Sequence, residues 1–226
     1  MTMMQMGGGC VKRAGKRPKH EVTKTRRTTK KRHIRRMARR VGLRGALARG
    51  ILWVRCGGSV VDLKAVLKSQ YHAALKTLRL AIEACPEKLW NDPADGVPTF
   101  WRVAFHTVFF AHYYAQQTKD GFVRWEGHRP EAEMFAVPWE NFRDPKPCAP
   151  YTREELLVYW TFVDSRIDGW VDKLDLETAQ CGFPWYKMGT LEHQLVNIRH
   201  VQHHAAILTA RLRTRAGIGV EWVQKG

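Results

Sequence analysis

The stretch FWRVAFHTVFFAHYY, residues 100–114, decides the fold. It follows Pro98 and reads as part of a helix from about Thr99 to Thr118. Its apolar side chains fall on nearly every side, so this is the most deeply buried helix of the chain. Three amphipathic segments accompany it. One runs from about Val61 to Ala84, with Leu63, Val66, Leu67, Ala74, Leu78, Ala81 and Ile82 in a single apolar stripe, and Pro86 ends it. Another runs from about Arg153 to Leu174. Thr152 and Glu155 form its capping box, and Leu156, Trp160, Val163, Ile167, Trp170 and Leu174 share one face. The last runs from about Leu191 to Arg215, with Thr190 as cap and Gly217 as stop. Arg211, Arg213 and Arg215 suit the negative end of its dipole. Strand signals are weak throughout. The expected fold class is therefore all-α, a four-helix bundle.

Connection lengths suggest the topology. About 33 residues, Lys119 to Tyr151, separate the second and third helices. A helix of ~22 residues is ~33 Å long, and such a connection can run that full length. The third helix would then start parallel to the second, which gives an up-down-down-up order with a long helix 2–3 crossover. Phe122, Trp125, Phe135, Trp139 and Phe142 are expected to anchor this crossover on the bundle. A mobile lid is the competing reading of so long a loop.

The charge is uneven. The chain has 226 residues and a formal net charge of +17. Residues 1–60 hold 18 Lys and Arg against one acid, Glu21, while the remainder holds 20 basic and 20 acidic residues. The first 59 residues are sparse in apolar side chains and show no steady period, although HIRRMARRVGLRGALARGILWV could form a local helix. We therefore expect a basic, disordered extension over 1–59 and a neutral domain over 60–226. Three readings of the extension stand: a nucleic-acid-binding arm, an organelle transit peptide, or upstream sequence joined by a misassigned start. Five scattered cysteines without a CxxC point to reduced thiols in a cytoplasmic protein. No apolar run is long enough to span a membrane, and no secretory signal is evident.

Three histidines crowd into NIRHVQHHAA, residues 197–206. At ~100° per residue, with Leu191 at zero, His200, His193 and His204 lie at about 180°, 200° and 220°, and His203 lies at about 120°. His200 and His204 are thus one turn apart on one face, the spacing at which two imidazoles reach one ion. His203 points elsewhere, and His193 is roughly 10 Å along the axis from His200, too far to share that ion. A third ligand is then needed from a facing helix. His106 is the strongest candidate, since it sits among Phe105, Val108, Phe109 and Phe110, where an unpartnered imidazole is costly. A buried histidine is more often a satisfied core residue than a ligand, and that reading competes. His112 lies on another face near the tyrosines, His72 is expected to be solvent-exposed, and His128 in the crossover has no assigned place. Asn197, one turn before His200, is either a polar neighbour of the ligands or simply a buried polar residue. No residue identifies itself as a general base.

FWRVAFHTVFFAHYY, PYTREELLVYW and LVNIRHVQHHAAIL, in that order and spacing, resemble the DinB-like four-helix-bundle proteins. These are metal-dependent enzymes that include bacterial thiol-dependent transferases. The resemblance covers about residues 60–222, from DLKAVLKSQYHAAL to GVEWV. It implies one metal-ligating histidine in the second helix and a His-x-x-x-His pair in the fourth, here His106, His200 and His204. It also implies the up-down-down-up topology, a homodimer, and a divalent ion such as nickel, zinc or iron. The expected activity is transfer or hydrolysis on a small-molecule substrate, with a low-molecular-weight cellular thiol or water. A non-enzymatic bundle with a structural metal is the alternative, as is a nucleic-acid-associated protein if the basic arm is native. The family's name comes from DNA-damage induction and carries no implication of DNA binding.

Overall fold

A computed structural model of the chain describes residues 53–56, 59–93, 98–135 and 147–226, all within a unit spanning Ala48–Gly226. Residues 1–52, on which the readings of the basic arm rest, lie outside the described residues, as do Trp139 and Phe142.

The described chain is mostly helical. It opens on a hairpin of β1 (Trp53–Cys56) and β2 (Ser59–Asp62), paired antiparallel with Trp53 opposite Asp62. This hairpin straddles the boundary expected near residue 60 and replaces the end of the local helix read there. Asp62 then caps α1 (Leu63–Ala84), its side chain accepting from the backbone N–H of Ala65 at 3.0 Å. A single turn, α2 (Glu87–Trp90), follows Pro86. The long apolar stretch forms α3 (Phe100–Tyr114), which is buried on most sides.

The third predicted helix is two: α4 (Arg153–Asp164) and α5 (Ile167–Lys173). Thr152 and Glu155 do form the capping box of α4. The break has a local cause. The Phe162 carbonyl accepts from Ser165 Oγ and from the Arg166 guanidinium, while the Arg166 N–H turns to Val163 instead. Serine bonding back to its own helix bends it. Finally α6 (Thr190–Ala216) ends at Gly217, whose φ of 68° is the left-handed stop that glycine favours. Its N-cap is Gly189 rather than Thr190. Thr190 is the first helical residue, and its hydroxyl accepts from Gln117 at 3.2 Å.

The helices pack as a ring. α6 lies against α1 and α3, and α4 lies against the same two helices. Across α1 and α6, Tyr71 donates to Gln194 Oε1 at 2.6 Å and accepts from Asn197 Nδ2 at 2.9 Å. Further along α6, Arg211 holds the carbonyls of Asp92, just after α2, and of Pro98, just before α3. Across α3 and α6, Gln194 donates to the Tyr114 carbonyl and Asn197 to that of Ala111. Across α1 and α4, Trp160 donates to the Leu75 carbonyl at 2.8 Å, and Arg153 reaches that of Cys85. Along α3 and α4, Phe105 stacks on Tyr151, and His112 faces Tyr159 and stacks on Trp170. Phe122, Trp125 and Phe135 of the connection between α3 and α4 pack on the core, as expected.

Among the described residues no helix is long and apolar enough to cross a membrane. One glycine is demanded by close approach: a Cβ on Gly182 would stand 2.5 Å from the Gln117 carbonyl, where residues 117–119 meet the loop before α6.

The Tyr71–Gln194–Asn197 network is buried, so its hydrogen bonds have no water to replace them. Tyr71→Phe should therefore lower stability by about 1–3 kcal/mol, because it leaves the Gln194 acceptor stranded. Urea unfolding of the two proteins measures this, and identical midpoints would contradict the network's role.

Candidate metal centre

α3 and α6 bring three of the predicted histidines together. The ligand-capable nitrogens of His106, His200 and His204 all lie within 4.8 Å of one another. His106 Nε2 stands 3.1 Å from His200 Nε2. The i, i+4 spacing on α6 puts His200 and His204 one turn apart on one face, their rings edge to face with centroids 4.5 Å apart. His106 reaches across from α3. Phe110 and Phe135 wall the cluster, their rings 4.6 and 4.4 Å from that of His106.

The tautomer of His106 follows from its other nitrogen. Nδ1 lies 2.6 Å from the backbone carbonyl of Glu133. A carbonyl only accepts, so Nδ1 carries the proton and Nε2 presents a lone pair. That lone pair faces His200.

All three imidazoles are held neutral. Burial is the main cause, and the neighbouring imidazoles add to it. His106 is pushed down to about 3, His200 to about 4 and His204 to about 2. Neutral imidazole is the form that binds a metal. Two ligands 2.0–2.1 Å from a common ion, at angles between octahedral and tetrahedral, stand about 2.8–3.4 Å apart. The 3.1 Å approach of His106 and His200 lies in that range. The Nδ1 atoms of His200 and His204 are buried without a hydrogen-bond partner among the described residues, so no protein acceptor dictates their tautomer. The three residues thus fit a divalent ion. The donor set is all nitrogen, which suits zinc, nickel, copper or iron better than magnesium or calcium.

The other histidines go elsewhere. His203 is exposed at the edge of His204. His193 shares the stripe of His200 and His204 but enters a separate aromatic cluster of Tyr114, Phe183 and Tyr186. His112 is buried against Tyr159 and Trp170. His72 is a correction: it is not free on the surface but half-buried, bonded to Asp164 at 2.7 Å and Asp168 at 3.1 Å across the α4–α5 break. The rotation count placed it opposite the apolar stripe, and α4–α5 covers that side. Asn197 is buried and belongs to the Tyr71 network. Sequence reasoning missed Glu133, because a backbone carbonyl leaves no mark in residue type.

A helical protein with three half-buried, neutral histidines converging from two helices is the class that fold and site define. The DinB superfamily model matches residues 70–208, more than half of the chain and all three histidines, and the chain belongs to that superfamily. Its members typically bind a metal, and the histidine triad is the possible site for one here. Comparison with curated proteins and with solved structures returned no match.

Acid should destabilise the metal-free protein. In the unfolded chain the histidines titrate near the ordinary value of 6.5, whereas His106, His112, His193, His200 and His204 stay neutral when folded. Below about pH 6.5 the unfolded state therefore binds more protons, and stability falls as pH falls. His72 acts the other way. Burial pulls it down, but its bonds to Asp164 and Asp168 outweigh this and raise it, so its contribution is lost as pH rises. Five groups against one decide the sign. The urea midpoint should drop between pH 7.5 and pH 5.0, and an unchanged or higher midpoint at pH 5.0 would contradict the buried neutral set.

Proposed function

We propose that this protein is a divalent-metal-dependent transferase or hydrolase, acting on a small electrophilic substrate with a low-molecular-weight thiol or water. The observation that carries the reading is the convergence of His106, His200 and His204, three neutral nitrogen donors with no carboxylate among them. Three imidazoles leave the charge of a divalent ion uncompensated and coordination positions open for substrate. An ion held there supplies Lewis acidity toward a thiol or a water. The chain's own part is to hold the lone pairs together and keep them unprotonated by burial. Phe110 and Phe135 line the approach with apolar surface, which lowers the local polarity and strengthens electrostatic interactions inside.

The same reading takes residues 60–226 as the functional unit, arranged as an up-down-down-up four-helix bundle. Its support is the run of contacts. Tyr71 meets Gln194, and Cys85 at the end of α1 feels the charge of Arg211 further along α6, so α1 and α6 run together. Gln117, Tyr114 and Ala111 meet Thr190, Gln194 and Asn197 in reverse order. Phe105 meets Tyr151 and His112 meets Trp170, so α3 and α4 run together. A homodimer in the cytoplasm completes the proposal, on the family resemblance and the scattered cysteines.

The full-length protein, loaded with zinc, nickel or iron(II) in turn, should bind one ion per chain. His106→Ala and His200→Ala should each weaken binding more than about 100-fold, beyond the 10–100-fold cost of losing an outer partner. The loaded protein should conjugate a cellular thiol to a chlorinated aromatic or hydrolyse an activated ester, and the two variants should not. Stoichiometric metal surviving either substitution would overturn the site. Metal binding without turnover on any thiol or ester would favour a structural metal.

A further inference from the structure

We infer that His128 and Glu133, in the crossover between α3 and α4, are positioning residues that lock His106 in its metal-binding tautomer. The inference rests on the metal reading above and adds to it the device that orients one ligand.

The groups form a chain. His106 Nδ1 donates to the Glu133 carbonyl at 2.6 Å. The carboxylate of the same Glu133 accepts from His128 Nε2 at 3.0 Å. His128 in turn lies over Phe105 and Phe109, with ring centroids 6.1 and 5.5 Å apart. Both rings belong to the helix that carries His106. The side chains of the pair are only 9% and 15% exposed, so water competes weakly for their bond.

The rest of the loop is fixed around this pair. The Tyr151 hydroxyl accepts from the Arg129 N–H at 2.6 Å and donates to the Gly127 carbonyl at 2.8 Å. Glu131 adopts φ 71°, a left-handed turn that reverses the chain between His128 and Glu133. Arg102, one turn before His106 on α3, donates to the Met134 carbonyl at 3.0 Å. Arg102 and His106 thus hold two consecutive carbonyls of the crossover.

The consequence is chemical. An imidazole has two neutral tautomers, and the hydrogen bond at one nitrogen decides which atom offers the lone pair. With the Glu133 carbonyl held at Nδ1, the lone pair of His106 stays on Nε2, facing His200. If the loop shifts and that acceptor is lost, the proton can occupy Nε2 and the ligand atom is blocked. A pair that merely stapled the loop would affect stability and leave the tautomer alone.

The test reads the tautomer first, in the metal-free full chain, by nitrogen-resolved NMR of the imidazoles. Wild type should show His106 protonated at Nδ1. Glu133→Ala and His128→Phe should lose the single-tautomer signature and bind zinc about 10–100-fold more weakly. Glu133→Gln still accepts from His128 and should restore both, to within about threefold in affinity. The phenylalanine variant keeps the ring on Phe105 and Phe109, so it separates the hydrogen bond from packing. A wild type lacking the Nδ1–H form overturns the inference without any variant. So does wild-type tautomer and zinc affinity in both Glu133→Ala and His128→Phe, or a Glu133→Gln as weak as the alanine. A wild type that holds the tautomer and binds no zinc would sink the metal reading alone.

Discussion

His106 Nε2 and His200 Nε2 face each other across 3.1 Å between α3 and α6, and a lone pair on the first is imposed by the bond at its far nitrogen. Two imidazoles at that distance are compatible with a shared proton or a shared ion, but not with two charges. Burial prevents the charges. It pushes His106, His200 and His204 far enough down that all three stay neutral at physiological pH. Everything that makes the site usable depends on α3 and α6 being held at this separation, face to face.

The packed helices supply that constraint with a second buried polar layer. Asn197 lies one turn from His200, and it ties α6 to α3 through the Ala111 carbonyl and to α1 through Tyr71. Gln194 repeats the arrangement one turn earlier, accepting from Tyr71 and donating to the Tyr114 carbonyl. These bonds are directional, and burial removes the water that could replace them. They set the register of α6 against α3, so the two-histidine face of α6 meets His106 and not a phenylalanine one turn away. Apolar packing alone would tolerate such slippage more readily.

Much of this was legible in the sequence because it rests on helical periodicity. The apolar stretch at 100–114 placed α3, and the Thr152–Glu155 spacing placed the start of α4. The i, i+4 pair separated His200 and His204 from His203 without any structure. What stayed hidden depends on pairs distant in sequence or on backbone atoms. The α4–α5 break turns on which groups take the Phe162 carbonyl, and no proline or glycine marks it. His193 shares the angular position of the ligands, but the loop rings Phe183 and Tyr186 draw it into another cluster. The partner of His106 is a main-chain oxygen in the crossover, invisible to any reading of residue types. His72 looked exposed because its two acidic partners come from α4 and α5, nearly a hundred residues away.

The proposed centre holds one ion by three nitrogens and by nothing softer. X-ray absorption at the zinc edge, on the full-length protein loaded with one equivalent, tests it most directly. The expected result is a first shell of three imidazole nitrogens at about 2.0–2.1 Å, completed by light atoms, with the outer-ring scattering that histidine gives. A sulfur at about 2.3 Å, or a shell without imidazole scattering, would contradict it.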